Sequence, residues 1–424
     1  MTLTALHDLF LRYPIVSTDT RKIESDCLFF ALKGPNFNGN EFAAEALEKG
    51  AKYAIIDEPG FHEEGKTILV ENVLETLQKL AIYHRNHCKA KIISLTGSNG
   101  KTTTKELIHA VLDKKYRTIA TSGNLNNHIG VPLTLLTIKE DTEIAIIEMG
   151  ANHQGEIAFL SGISQPDYGY ITNFGKAHLE GFGGVQGVIK GKSELYDYLM
   201  ANDRYVFMNA DDPIQREKLA PYIKKIGFST HNHDFYQIRP VKTDPFVVIE
   251  FEGLQIETQL IGEYNFSNCA IAITVGKYFN VPKRDIKLAL EGYRPANNRS
   301  EVLKKNNHTI VLDAYNANPT SMLAALKNFV TMAGAPKVLF LGDMFELGEA
   351  SAQEHQKITD VTADLGFHHV YLIGKNFSQT KNSFQKFEDF QKIADHLKEN
   401  PLEPSTILIK GSRGMALERL LDLL

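Results

Sequence analysis

The chain has 424 residues, of which 43% are hydrophobic and 23% charged, with a formal net charge of −5. About 150 residues per domain makes roughly three domains of ordinary globular composition, and the acidic balance argues against a nucleic-acid binder, which carries a basic face. Cys27, Cys88 and Cys269 lack CxxC spacing, so neither a disulfide framework nor a structural zinc site is expected, and the lack of a signal-peptide pattern or an apolar run near 20 residues places the chain in the cytoplasm.

Short apolar runs alternate with helical patterns along the chain, which predicts an α/β protein. Residues 1–88 form a first unit. It holds a strand over Cys27–Leu32, a Gly/Asn-rich loop from Gly34 to Asn40, and a strand over Tyr53–Ile56. A polar helical stretch, Tyr83 to Ala90, is expected to lead into a second unit at 89–294. That unit has strands at Ile92–Leu95, Ile144–Ile147, Tyr168–Ile171 and Tyr205–Met208. Near-continuous apolar runs of this kind suit buried parallel strands. Residues 246–260 alternate around a Glu-Gly turn and predict an antiparallel hairpin instead. A third unit, 295–424, has strands at Ile310–Leu312, Val338–Leu341, Val370–Ile373 and Ile407–Ile409. It reads as Rossmann-like but lacks GxGxxG, so no dinucleotide is expected there.

The strongest motif follows the first strand of the second unit: Thr96, Gly97, Ser98, Asn99, Gly100, Lys101, Thr102, Thr103. Glycines let a backbone wrap closely around phosphate, and the following helix offers its positive end. Lys101 can reach the β- and γ-phosphates, and the Thr102 hydroxyl can ligate Mg²⁺. The spacing, GxxGKT, is shorter than the general phosphate loop, and a plain Gly-rich turn is the competing reading.

The TGSNGKTT form resembles the Mur ligase and folylpolyglutamate synthetase superfamily, and further motifs extend the resemblance along nearly the whole chain. The family uses ATP to convert a carboxylate to an acyl phosphate, which an amine displaces to form an amide. Glu148, at the end of a buried strand, matches a Mg²⁺ ligand; read alone, it could be a capping or ion-paired carboxylate. His178, in Asn173–Glu180, matches a second ligand, although a lone His is more often structural. Lys192 matches the lysine that CO₂ carbamylates to help hold a second Mg²⁺; Lys190 is the alternative, and a solvated helix face the bland reading. Asn268 matches the adenine contact, with Asn265 better placed to cap the helix. Arg299 matches a γ-phosphate contact made on domain closure, and Asp313 a ribose or closure contact, or simply a turn former.

Within the family, Ser17–Arg21 and the loop after Lys33 resemble a UDP-sugar domain, which implicates Thr20 and Arg21 in binding UDP-MurNAc-tripeptide. Tyr315–Met322 and Gly342–Gly348 resemble the branch that adds D-Ala-D-Ala, which implicates Asn316, Asn318 and Glu346. Lys410–Arg413 also resembles the family, without an assigned role. The resemblance thus implies an N-terminal UDP-sugar-binding α/β domain, a central phosphate-loop ATPase domain with a mostly parallel sheet, and a C-terminal Rossmann-like domain. It further implies ATP and Mg²⁺ as cofactors, a cytoplasmic monomer, small-molecule substrates only, and a place in cell-wall peptidoglycan synthesis. Addition of a single amino acid, or a nucleotide-binding regulator without catalysis, remain the alternatives.

Overall fold

The computed structural model describes residues 1–295 and 298–424. Among the described residues three main sheets follow one another along the chain, with a two-stranded hairpin beside the first. The first is parallel, in the order Val16–Ser17, Leu28–Phe30, Tyr53–Ile56, Thr67–Leu69. The expected strand over Cys27–Leu32 is therefore shorter, and the loop after it holds a small hairpin, Lys33–Gly34 with Phe37–Asn38. The connecting helix is Val73–His87, which begins ten residues before the expected polar stretch. Asn72 caps it by accepting from Glu75 N, which fixes its start. Leu77, Leu80 and Ala81 bury its inner stripe at the 3–4-residue spacing of a helix face.

The central sheet has nine strands. Lys91–Thr96 lies between Tyr168–Ile171 and Ile144–Glu148, and Thr118–Ala120 forms the edge beyond the latter. On the other side follow Tyr205–Asn209, Lys225–Ser229 and Tyr236–Lys242, all parallel. The predicted hairpin, Phe246–Phe251 with Leu254–Ile261, closes this end antiparallel. Its turn residues Glu252 and Gly253 both have positive φ, +48° and +76°, as a tight hairpin turn with the right twist requires.

The third sheet begins with an antiparallel edge, Glu301–Lys305 against His308–Asp313. Thr406–Lys410, Lys337–Gly342, His369–Ile373 and Gln385–Phe387 follow in parallel. The strands at its centre are buried along almost their whole length, because helices cover both faces of a parallel sheet. The three-domain α/β architecture with mostly parallel strands is as expected. Among the described residues no helix is long and apolar enough to cross a membrane.

Candidate functional site

The carboxyl ends of the second and third sheets border one cavity of about 520 Å³. In open parallel sheets, ligands bind at carboxyl ends where the strand order reverses. Lys91–Thr96 is such a point: its partners, Ile144–Glu148 and Tyr168–Ile171, lie on opposite sides. The loop after it, Ser98–Thr103, lines the cavity, as do Glu148, Asn173 and His178. From the third unit come Arg299, Asp313, Tyr315, Asn316, Thr320 and Lys410.

The glycines of the loop are spatial requirements. Gly97 has φ +144°, and a Cβ there would sit 2.0 Å from Thr172 Oγ1. Gly100 has φ +77°, and a Cβ would sit 2.7 Å from Asn268 Oδ1. The loop is held from the next strand: Ser98 Oγ donates to Gly175 O at 2.8 Å, Asn99 N to Asn173 Oδ1 at 3.0 Å, and Asn173 Nδ2 to Asn99 O at 3.0 Å. Helix Lys101–Leu112 starts at the loop, so its free N–H groups face the cavity rim. Lys101 Nζ donates to the loop's own carbonyls, Gly97 O at 2.7 Å and Ser98 O at 3.5 Å. Burial pulls its amine below the usual lysine range; Glu148 opposes this and Arg299 adds to it. Thr102 is buried beside it, and Thr103 is half-buried.

Glu148 is 1% exposed. Its Oε1 accepts from Asn126 Nδ2 at 2.8 Å, while its buried Oε2 has no partner. An anionic oxygen left so is costly, and a cation is the natural complement. Among the described residues no three His, Cys, Asp or Glu side chains gather as a metal site. A hard cation such as Mg²⁺ fits nonetheless, since one or two protein oxygens plus phosphates and waters suffice for it. His178 faces the same cavity with φ +53°, and its Nδ1 meets the carboxylate of Glu346 from the third unit. Through this hydrogen bond His178 holds the Glu346 carboxyl below its usual range.

Lys192 is 0% exposed, whereas Lys190 is exposed on the same helix, Val185–Ala201. The Lys192 amine donates to Ala151 O at 3.0 Å and lies 4.8 Å from the Phe182 ring centroid. It lies just behind the cavity wall, to which Ala151 belongs. Burial first, then Lys101, pushes it well below the ordinary lysine range, while Glu156 and Glu194 oppose the shift. A neutral amine is the form that can react with CO₂.

Beside Gly100 of the loop, Asn268 Nδ2 donates to Asn265 Oδ1 at 2.8 Å, and Asn268 Oδ1 accepts from Thr104 at 3.0 Å. The helix is Tyr264–Tyr278 with Glu263 at its cap position, so neither asparagine caps it. Asn265 instead bonds Ile261 O from inside the first turn. The Arg299 guanidinium stacks 3.6 Å from the Tyr315 ring centroid, and its buried Nε has no partner among the described residues. Asp313 accepts from Lys410 Nζ at 2.6 Å and from Ser300 N at 3.2 Å.

Thr20 and Arg21 lie away from this cavity, on the first unit. Arg21 is bound by Asp19 through two side-chain contacts, at 2.9 and 2.8 Å, with its side chain 85% exposed. Asn316 lines the cavity and is exposed. Glu346 is not among the described residues that line the cavity, and meets one of them, His178, by a hydrogen bond. Asn318 caps helix Pro319–Thr331 and also touches Asn99. The motif reading missed Asn126, Asn173, Glu156 and Lys410 as site residues. The Asn-rich run Gly123–Asn127 was the one signal that could have drawn attention to Asn126.

The Mur ligase middle domain matches residues 95–276, the Mur ligase glutamate ligase domain residues 298–413, and the Mur ligase family catalytic domain residues 12–92. The UDP-N-acetylmuramoyl-tripeptide--D-alanyl-D-alanine ligase of Bacillus subtilis is 36% identical over 423 residues, spanning 96% of this chain and 92% of that protein. Among solved structures, MurF from Acinetobacter baumannii superposes with a TM-score of 0.85 at 31% identity, covering 96% of this chain and 92% of that one. MurF ligase from Thermotoga maritima, solved with ADP, gives a TM-score of 0.85 at 27% identity, covering 98% and 97%.

Proposed function

The chain belongs to the Mur ligase family, and from that premise we propose that it uses ATP to join D-alanyl-D-alanine to UDP-MurNAc-tripeptide, completing the pentapeptide precursor of peptidoglycan. The observation that carries the reading is the convergence of a phosphate loop, a carboxylate oxygen and a guanidinium Nε that lack partners among the described residues, on one cavity between two units. We assign the first unit, 1–88, to the UDP-sugar, with Thr20 and Arg21 as contacts; 89–294 to ATP; and 295–424 to the dipeptide and closure. The enzyme acts as a cytoplasmic monomer.

In this mechanism the loop Gly97–Thr103 cradles the triphosphate, and Lys101 leaves the loop carbonyls for the β- and γ-phosphates. Asn268 contacts the adenine, Asp313 the ribose, and Arg299 the γ-phosphate. Thr102, Glu148, His178 and a carbamylated Lys192 would hold Mg²⁺, which offsets the charge of the triphosphate and the acid brought beside it. A carboxylate oxygen of the tripeptide attacks the γ-phosphorus, and the bond to the ADP oxygen breaks. The dipeptide amine, beside Asn316 and the Glu346 loop, then attacks the acyl carbon. It loses a proton, phosphate leaves with the bonding electron pair, and the amide remains. Lys101 and Arg299 stabilise charge on the transferred group, which is where such sites gain most of their rate.

The test is ADP release with UDP-MurNAc-tripeptide plus either D-Ala-D-Ala or a single diamino acid. Turnover that requires the dipeptide supports the reading. Turnover with the amino acid alone would replace it with single-residue addition, and no substrate-dependent turnover would leave only nucleotide binding.

A further inference from the structure

Asn99 sits in the phosphate loop with both backbone polar groups already used: its N–H goes to Asn173 Oδ1, and its carbonyl accepts from Thr172 Oγ1 and Asn173 Nδ2. Its side chain alone points across to the third unit. There it meets Asn318 amide to amide, with Asn318 Nδ2 donating to Asn99 Oδ1 at 2.7 Å and Asn99 Nδ2 lying 3.5 Å from Asn318 Oδ1. Asn318 is 6% exposed and caps helix Pro319–Thr331 in a capping box, its Oδ1 accepting from Ser321 N at 2.9 Å. An amide offers two donors and one carbonyl oxygen. Here the oxygen is taken by the cap and one donor by Asn99, so little is left for a substrate.

A second contact lies alongside. Lys176 N donates to Thr320 Oγ1 at 3.0 Å, on the same helix turn. Between the two lies Gly175, whose carbonyl accepts from Ser98 of the loop. A Cβ on Gly175 would be 3.0 Å from Asn99 Nδ2 and 3.2 Å from Thr320 Oγ1. The bare backbone there is what lets loop and helix approach.

We propose that Asn318 is a positioning residue: by gripping Asn99 it latches the third unit onto the phosphate loop, so that the cavity wall carried by Tyr315 and Asn316 is set in register with the nucleotide site. The inference rests on the ligase reading for its purpose, but not for its detection. It moves Asn318 from touching the dipeptide to fixing the wall that does.

Asn318→Ser keeps a good helix cap and is too short to reach Asn99. Solution X-ray scattering of the nucleotide-free chain, and of the chain with a non-hydrolysable ATP analogue, reads the closed-to-open ratio whether or not the protein ligates. The expected ratio falls roughly 2- to 10-fold, the net worth of one hydrogen bond, turnover falls by the same factor, and the melting temperature stays at that of the wild type. The double variant with Asn99→Ala falls no further than the worse single, because both remove one contact. Gly175→Ala, which deletes no hydrogen-bonding group, also shifts the chain toward open. Wild-type closure in both Asn318→Ser and Gly175→Ala, or additive losses in the double variant, would overturn the latch. Failure of the ligase reading would appear separately, as wild-type chain that closes but releases no ADP with dipeptide.

Discussion

Replacing Glu148 by glutamine should make the ligand-free chain more stable and the enzyme far slower. The carboxylate is 1% exposed, and only one of its oxygens has a partner, Asn126 Nδ2 at 2.8 Å. Leaving a buried group unsatisfied costs about 1–3 kcal/mol, more when it is charged. Lys101 nearby recovers part of that for the anion. Glutamine keeps the volume and the oxygen that faces Asn126, and removes the charge. The expected gain is about 1 kcal/mol, or about 2–4 °C in melting for a unit of this size. Nucleotide with Mg²⁺ acts the other way. At 100 times Kd a ligand stabilises the native state by about 2.7 kcal/mol, and the variant should lose most of that increment. ADP release should fall about 10²–10³-fold, as when one group aimed at transition-state charge is removed. Calorimetric melting with and without Mg²⁺ and nucleotide, beside the ADP assay, reads all three. A variant that melts below wild type without ligand and turns over normally would refute the reasoning.

Lys101→Ala is expected to stay folded, because its amine donates only to two loop carbonyls, and to show no measurable ADP release; near-normal kcat would exclude the phosphate-loop assignment. Lys192→Ala should be almost inactive and partly rescued by a small added carboxylate, while wild-type activity should fall in CO₂-depleted buffer and return with bicarbonate; indifference to both would remove the carbamate. His7 is held down to about 4 by burial, then by His84 and His87, with Asp8 opposing. The unfolded chain therefore binds the extra proton between pH 6.5 and 4, and stability should drop as pH falls through that window and level off below it. His7→Gln should flatten that slope in melting experiments, and an unchanged slope would assign it to other groups.

The readable part of the fold was its buried centre. Ile144–Glu148, Tyr168–Ile171 and Thr406–Lys410 are buried at every position and therefore appear in the sequence as short apolar runs. Of the strands passed over, Thr118–Ala120, Tyr236–Lys242 and Glu301–Lys305 are half-buried or exposed along most of their length, and Pro240 interrupts the second, while Thr67–Leu69 and Lys225–Ser229 are mostly buried but too short or too polar to stand out. Thr118–Ala120 and Glu301–Lys305 are edge strands, where no apolar run is needed, and Tyr236–Lys242 is the inner strand at which the sheet passes from parallel to antiparallel. The same division holds at the site. Gly97–Thr103 stands out in the sequence because the chemistry proposed for it is local: glycines, a lysine and a hydroxyl on one loop. Asn173 on Asn99, Glu346 on His178 and Asn318 on Asn99 join residues 74, 168 and 219 positions apart. No spacing rule reaches that far, and only the fold brings them together.

The cavity is deliberately unbalanced in its pairing. Lys410 is spent on Asp313. Lys101 donates only to backbone carbonyls, and among the described residues Arg299 has no carboxylate partner and an unsatisfied Nε. Opposite them stands Glu148 Oε2, which has no hydrogen-bond partner among the described residues. Two such cations, one from each unit, and one carboxylate oxygen without a partner are a poor set to bury in an empty protein. They are a good set for a triphosphate with a divalent cation, because each orphan then gains a partner in a site of low dielectric, where such contacts count for more than in water. Since Lys101 belongs to the second unit and Arg299 to the third, both can be satisfied by one nucleotide only when the units are closed. On the proposed assignment the nucleotide would have a higher affinity for the closed arrangement than for the open one, and that difference is what a ligand needs in order to shift the equilibrium. On that reading closure would follow from charge pairing across the cavity, with contacts such as Asn99 with Asn318 setting the register in which it stops.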